Sequence, residues 1–511
     1  MKEFSLKILF LIALVFSFSC SADDLKVGPS NSIGIGLNSV NDWAGSLPFL
    51  DVMKQSRPKW SNWSGNGSND FELDESGWVK KLKPDQRAAT VFLTLRKGYD
   101  LPFRDFVVLY DGKGKVRYLG GAKRVESLGE GRDKIRLSEG GAIIELLETD
   151  PNDYVRNIRI VPEKYLNAYL AGAVFNPEWL SIIEPFRALR FMDWLGTNNS
   201  NVVEWSDRPL VDDRSWAGSG VPYEIIVALA NQFNKDIWIN IPHRANNTYV
   251  KNLAELLFTS LNKHLKIYVE YSNEVWNGQF EQAQYARKQA KRLWPKQLNA
   301  ATQWYGVQAA NICDQFKRGV FGEETERVKC VMSVHTVVRG REKLALECPS
   351  AVSEAFESCY KHGIDYLAVT NYFTGNLVRR NDAQAEALLE LAGQGQAGVD
   401  KGIEHLMSGK YIRGIPGVKD YQGVKQDMLS ALEYWVTAAR QYGMPLLAYE
   451  GGQHLTSLDP LLRDFQMRIN ADERMYNVYK AYLEGWKEGG GSSVCTLLNL
   501  QRRPNGEVLG P

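Results

Sequence analysis

Short apolar strands alternate with helical segments over most of this 511-residue chain. The pattern predicts an α/β fold: a (β/α)8 TIM barrel carrying an inserted small β-sandwich-like domain. Three observations carry that expectation. The strands are apolar through most of their length, as strands are when helices cover the outside of a parallel sheet. Helix and strand signals alternate from about residue 175 onward and, with one strand near the start, supply eight strands. Between them, over 72–163, only period-two signals occur. The expected organisation is a leader over 1–22, a barrel built from 30–71 and 164–511, and an inserted domain over 72–163.

The leader reads "MKEFSLKILFLIALVFSFSCSADD". Lys2 and Lys7 flank an apolar run from Ile8 to Phe18, and Ser17, Ser19, Ser21 and Ala22 follow. This is the pattern of a secretory signal peptide. Cleavage after Ala22 leaves Asp23 first; cleavage before Cys20 is that of a bacterial lipoprotein with an outer-membrane lipid anchor. Both place the chain outside the cytoplasm: secreted, periplasmic or membrane-anchored. No later segment offers the roughly 20 uninterrupted apolar residues of a membrane span.

"SIGIGLNSVNDW" (32–43) starts as an apolar alternation and is the first barrel strand. A Gly/Asn/Ser-rich connection then leads into the insertion. There "ATVFLTL", "AIIELLE" and "YVRNIRIV" are strands. "FVVLYDGKGKVRYLG" reads as a hairpin turning at Asp111-Gly112-Lys113-Gly114. The second barrel strand is "ALRFMDW", and helix "YEIIVALANQF" precedes the third, "DIWINIPH". Val250, Leu253, Leu256, Leu257 and Leu261 share one face of the next helix, which leads to "KIYVEYSNE". Helices over "QFEQAQYARKQAKRL" and about 301–318 precede "KCVMSVHT"; a helix over "AVSEAFESCYKHG" precedes "DYLAVTNYF". A polar, Gly-rich excursion over about 375–425 follows. Helix "MLSALEYWVTAARQYG" then leads to "PLLAYEGG", and "MYNVYKAYLEGWKEGG" to "SSVCTLLNL". An open doubly wound sheet is the alternative. It normally carries a Gly-rich phosphate loop, and "GIGLNS" does not follow that fingerprint.

Composition narrows the function. With 61 basic and 60 acidic residues the net charge is +1, which argues against a nucleic-acid partner. The 14 tryptophans suit either core packing or platforms for the flat apolar faces of sugars. Trp205, Trp216 and Trp276 stand open to both readings. Beyond Cys20 there are Cys313, Cys330, Cys348, Cys359 and Cys495, with no CxxC pair and hence no zinc-thiolate motif. Buried free thiols are expected, with Cys348–Cys359 the pair an oxidising compartment could bridge. The first strand lacks a His-x-His pair and no His-Glu-x-x-His helix exists, so neither metal nor cofactor is expected. The chain is expected to be a monomer with a carbohydrate partner.

In a barrel of this kind the site sits at the C-terminal strand ends. Arg190 and Asp193 lie on the second strand, His243 ends the third, Asn273 and Glu274 the fourth, and His335 the fifth. Asn371 and Tyr372 end the sixth, Tyr449 and Glu450 the seventh, and Asn499 the eighth. Two carboxylates, Glu274 and Glu450, thus face one mouth. A pair with separated pKa values is what glycosidic cleavage needs: one protonated to donate, one ionised to attack or to activate water.

On these residues the chain resembles clan A of the retaining glycoside hydrolases, which includes cellulase-like family 5. The resemblance covers roughly 32–500 and implies Glu274 as acid/base, after Asn273 on strand four, and Glu450 as nucleophile on strand seven. It implies Asn273 as a ligand of the sugar 2-hydroxyl, with Arg190, His243, Trp276, His335 and Tyr372 in binding or supporting roles. Val275 stands where family 5 has Pro, and "LLNL" lacks the Trp frequent at the end of strand eight. The expected activity is retaining hydrolysis of a β-linked glycan. The alternative is a non-catalytic carbohydrate-binding protein on a degenerate barrel.

Overall fold

The computed structural model describes residues 33–63, 68–96, 101 and 103–497. The leader with Cys20, and Asn499, lie outside the described residues. In chain order the strands are β1 (Ile33–Gly36), β2 (Glu72–Leu73), β3 (Val79–Lys81), β4 (Ala88–Leu95) and β5 (Asp105–Asp111). Next come β6 (Gly114–Ser127), β7 (Arg132–Thr149), β8 (Arg156–Pro162), β9 (Ala188–Arg190) and β10 (Asp236–Ile241). The last five are β11 (Ile267–Tyr271), β12 (Val328–Ser333), β13 (Ile364–Phe373), β14 (Leu446–Gln453) and β15 (Ser493–Leu497).

β1 and β9 to β15 form a closed parallel barrel, each strand paired with the next in sequence. β1 closes it: Gly34 pairs with Ala188 of β9 on one side and with Cys495 of β15 on the other. The fold is the expected (β/α)8 type. One register shift matters for the site. Val369 of β13 pairs with Ala448 and Thr370 with Glu450, so Tyr449 is an extra residue in β14. Such bulges re-aim the neighbouring side chain, here Glu450.

The inserted strands form a curled five-stranded antiparallel sheet in the order β4-β7-β5-β8, with β6 along β7, beside a β2-β3 ribbon. Its apolar core includes Trp78, Phe92, Phe106, Ile135, Ile144 and Ile160, joined by Leu47, Val52, Met53 and Trp60 from the chain after β1. The hairpin expected at Asp111–Gly114 is absent. β5 pairs with β7 and β8, and β6 pairs with β7, so β5 and β6 are not partners. The Asp-Gly segment bonds elsewhere: Lys113 N–H donates to the Asp153 carbonyl (2.7 Å) and Asp150 N–H to that of Lys113 (2.9 Å). The long β6–β7 pair turns instead through residues 128–131.

Around the barrel the expected helices form, among them Tyr223–Phe233, Asn247–Ser260, Glu281–Leu293, Ala300–Asp314, Val424–Gln441 and Met475–Glu488. The helix expected over 351–363 does not. The chain makes helix Arg341–Glu347, a short Pro349–Val352 turn and a 3-10 turn at Cys359–His362. Ala355 between them is left-handed at φ 68°, and Cys348 is bonded to Cys359, which folds the segment back on itself. Cys313 is bonded to Cys330, so the free-thiol expectation fails for these four cysteines. The excursion at 375–425 contains helices Asp382–Gly393 and Gln396–Ser408. Asn381 caps the first, and Leu388, Leu391, Val399, Ile403 and Leu406 are buried between them and the barrel.

Candidate active site

Arg190 ends β9 and is 2% exposed. A guanidinium taken so completely from water must be paired. Its Nη1 donates to Glu450 Oε1 (2.9 Å); its Nη2 donates to Glu270 Oε2 (3.0 Å) and to Asn273 Oδ1 (2.9 Å). The rings of Trp238 and Tyr449 flank it, with centroids 5.5 and 5.4 Å from the guanidinium carbon. Three strands and the loop after β11 therefore meet on one cation.

Glu450 Oε2 accepts from the Tyr372 hydroxyl at 2.8 Å. Burial first, then the Glu450 charge, raises the Tyr372 pKa far above the usual phenol range, so the hydroxyl keeps its proton for that bond. The next residue has to be glycine. A Cβ on Gly451 would overlap the Tyr482 hydroxyl, which donates to the Asn371 carbonyl (2.8 Å) and accepts from Gly452 N–H (3.1 Å). That tyrosine braces the ends of β13 and β14 where Tyr372 and Glu450 stand.

Glu274 is held differently. Ser272 and Glu274 are both left-handed, at φ 55° and 41°, on either side of Asn273. Non-glycine residues in this region cost of order 1–3 kcal/mol each and persist where the surroundings fix them. Here Ser272 N–H donates to the Ile241 carbonyl (2.8 Å) and Asn277 N–H to that of Glu274 (2.7 Å). The Asn277 amide also donates to Glu274 Oε2 at 2.9 Å. Burial raises the Glu274 pKa to about 7; the Asn277 bond and Arg190 act to lower it, and the charges of Glu450 and Glu270 raise it. The two carboxyls are thus close enough to feel each other, yet differ in their nearest partners.

Asn273 is fixed at both ends. Its oxygen accepts from Arg190, its amide nitrogen donates to Asn198 Oδ1 (3.2 Å), and Gln282 Nε2 donates to its backbone carbonyl (2.8 Å). Asp193, three residues past Arg190, has its pKa raised to about 6, by burial and then by Glu450, against the Arg190 charge.

Of the residues singled out at strand ends, Arg190, Asn273, Tyr372 and Glu450 are joined by hydrogen bonds, and Glu274 lies near enough to feel the Glu450 charge. Glu270, Trp238 and Asn240 join them unforeseen: Glu270 Oε2 also accepts from Trp238 Nε1 (2.9 Å) and Asn240 Nδ2 (2.8 Å). The signal was an acid and an amide inside otherwise apolar strands, "IYVEY" and "DIWINI". His243 is buried and packs edge-on to Tyr285, 5.3 Å away; neither ring nitrogen has a hydrogen-bond partner among the described residues. Its pKa is pushed down to about 4 by burial and then by Arg244, so the ring is neutral at pH 7. His335 and Trp276 meet each other edge to face at 4.0 Å and wall a cavity of about 400 Å³ next to the Glu274 loop. Trp205 stacks on Tyr223, and Trp216 packs against Phe49; both serve packing. Among the described residues no group of three or more His, Cys, Asp or Glu is arranged to hold a metal ion.

No protein-family profile and no curated protein matches the chain. Among solved structures, an endo-β-1,4-mannanase double mutant from Cellulomonas fimi is 10% identical with a TM-score of 0.28, over 57% of this chain and 52% of that one. The chain thus spans about half that mannanase's length. A GH5-4 broad-specificity endoglucanase from an uncultured bacterium is 11% identical over 63% and 77% of the two chains, with a TM-score of 0.33. A family 44 endoglucanase from Clostridium thermocellum gives 11% over 61% and 70%, also with a TM-score of 0.33. Likenesses this remote carry no argument for function, which has to come from the site.

Proposed function

We propose that this chain is a retaining glycoside hydrolase acting on a β-linked glycan, with Glu450 as nucleophile and Glu274 as acid/base. One observation carries the reading: of the two candidate carboxyls, Glu450 bonds to the buried Arg190 at 2.9 Å, while Glu274 makes no bond to it and has its pKa raised to about 7. Arg190 and Tyr372 present Glu450 as a carboxylate with both oxygens occupied by donors. Attack of Glu450 on the anomeric carbon forms the glycosyl ester and breaks the glycosidic bond. Glu274 gives its proton to the departing oxygen. It then takes a proton from the water that opens the ester, and Glu450 leaves as carboxylate. Loss of the Glu450 charge in the ester lowers the Glu274 pKa, which suits its change from acid to base. Asn273, held by Arg190 and Asn198, is positioned to bind a sugar hydroxyl.

We also propose that the chain is exported. The Cys313–Cys330 and Cys348–Cys359 bonds suit an oxidising compartment, in keeping with a signal peptide cut at Cys20 or Asp23. The mass of the native mature protein distinguishes a lipid-modified Cys20 from a plain Asp23 start.

The stereochemistry of the first product tests the mechanism. NMR during turnover of a glycan panel should show the β-anomer before mutarotation. Glu450→Ala should lose at least about 10³-fold in kcat. Glu274→Ala should spare the glycosylation step of substrates with good leaving groups. An α-anomer would overturn the mechanism, and binding without hydrolysis would leave a carbohydrate-binding protein in its place.

A further inference from the structure

The cavity beside Glu274 has an unusual lining. It lies under the loop that carries this residue: Trp276 and Asn277 form one wall, and Asn277 is the residue bonded to Glu274. Arg287, which is exposed and lies with its guanidinium beside Gly278 of the same loop, lines the cavity too, as do the half-buried Arg341 and His335, just past the end of β12. Among the described residues no Asp or Glu lines it. Neither arginine has an ion pair among the described residues; each makes one long contact to a neutral oxygen, Arg287 to Gln284 Oε1 (3.4 Å) and Arg341 to Thr302 Oγ1 (3.3 Å). Elsewhere arginines of this chain are commonly matched with carboxylates, as Arg136 is with Asp105 and Arg187 with Asp236.

Two further polar groups belong to lining residues. The Trp276 indole N–H is fully buried behind the lining and has no acceptor among the described residues. His335 Nδ1 accepts from Val337 N–H (3.1 Å), which places the proton of the neutral ring on Nε2. Burial and then the Arg341 charge lower the His335 pKa, so the ring adds a donor without adding charge. The volume, about 400 Å³, is that of a small-molecule site. Two guanidinium groups without an ion-pair partner among the described residues are suited to the paired oxygens of an oxyanion. The Trp276 and Tyr305 rings offer apolar surface for the sugar that bears it.

We propose that this cavity is a subsite for an anionic substituent, a carboxylate or sulfate ester, carried by the glycan on its leaving-group side. The assignment of the side rests on the hydrolase reading, because Glu274 protonates the departing oxygen and its loop forms the cavity wall. The substrate class is then an acidic β-glycan, with the acidic sugar one unit beyond the cleaved bond.

The test is calorimetric binding to the full chain carrying Glu450→Gln, so that nothing turns over. Two matched pairs are used: a glucuronate-bearing β-oligosaccharide with its carboxyl-reduced form, and a sulfated β-oligosaccharide with its desulfated form. At least one anionic member should bind tenfold or more tightly than its neutral counterpart, and the pair that responds identifies the anion. Adding Arg287→Gln and Arg341→Gln should erase that preference while changing affinity for the neutral form less than twofold. Lysine at both positions should restore part of it. Equal affinity within both pairs, or an equal loss for anionic and neutral forms in the glutamine variant, would overturn the proposal. Product release by the unmodified protein is read separately: an intact preference without any product keeps the anion subsite and overturns the hydrolase reading.

Discussion

Glu274 is the residue whose environment has the most measurable consequences. Its pKa stands at about 7 in the fold against the 4.5 of an ordinary glutamate. Below pH 4.5 it is protonated whether folded or not, and it costs the fold nothing. Between pH 4.5 and about 7 the unfolded chain has released the proton while the folded one still holds it, so stability falls over that window and the loss is complete above it. Glu274→Gln removes the effect. Urea titrations should find the variant more stable than the parent at pH 8 by roughly 1–3 kcal/mol, discounted for the group's partial exposure, and equal to it at pH 4. The Asn277 hydrogen bond pulls the other way, because it favours the charged form. Asn277→Ala should therefore move the alkaline limb of kcat/KM upward, by several tenths of a pH unit, in a profile measured with one good substrate. A downward shift would mean that the amide bonds the protonated acid. The carboxyls and their Arg190 partner were legible in the sequence because strand ends in a barrel converge and apolar strands make a charge conspicuous. Glu270 obeyed the same signal and was missed, since alternation placed it inside the strand and not at its end. Its four-membered bond set with Arg190, Trp238 and Asn240 exists only once β9, β10 and β11 are neighbours.

Elements show the same division between local and distant causes. Helices with a clear apolar stripe, such as Asn247–Ser260, stand where the periodicity put them. The failures lie where a distant partner overrode a local preference: the Asp-Gly turn bonded to the Asp150–Asp153 turn, and 351–363 was folded back by Cys348–Cys359. The helices in 382–408 were hidden by their own composition, because their buried stripe is thin and their polar faces are long. Packing of the helix Ala300–Asp314 against Arg341–Glu347 supplies a decisive test. In a free helix, Gly to Ala stabilises by about 0.5–1 kcal/mol. At Gly306 the added Cβ would overlap the Ala345 carbonyl and Cys348 Sγ. Gly306→Ala should instead destabilise by roughly 1–3 kcal/mol in thermal unfolding, as overpacking does. A rise in Tm would show that these helices do not approach so closely.

At the scale of the whole molecule, the chain after β1 is a strap that bonds to the barrel loop after β9 on one side and to the inserted sheet on the other. Arg214, after β9, donates to Ser56 Oγ (3.0 Å) and to the Arg57 and Pro58 carbonyls (3.0 and 2.6 Å), with its guanidinium over Trp60 at 4.6 Å. Lys54 reaches the Val211 and Asp213 carbonyls at 2.9 and 2.6 Å. Asp51 is the inner end of this seam. Its Oδ1 accepts from Met53 N–H (3.0 Å) and from Ile160 N–H of β8 (2.9 Å), which joins the chain after β1 to the insertion. Burial raises the Asp51 pKa against the opposing charge of Lys54 and the two backbone bonds, so the seam values the oxygen more than the charge. Asp51→Asn keeps the acceptor, and its stability should stay within about 1 kcal/mol of the parent. Asp51→Ala leaves two buried N–H groups without an acceptor, each worth roughly 1–3 kcal/mol, and should destabilise by about 2–5 kcal/mol. Because the seam spans both parts, that loss should appear as an earlier single transition in calorimetry. Two separated transitions, with the barrel's unchanged, would mean that the insertion folds and unfolds by itself and that the shared contacts do not couple it to the site.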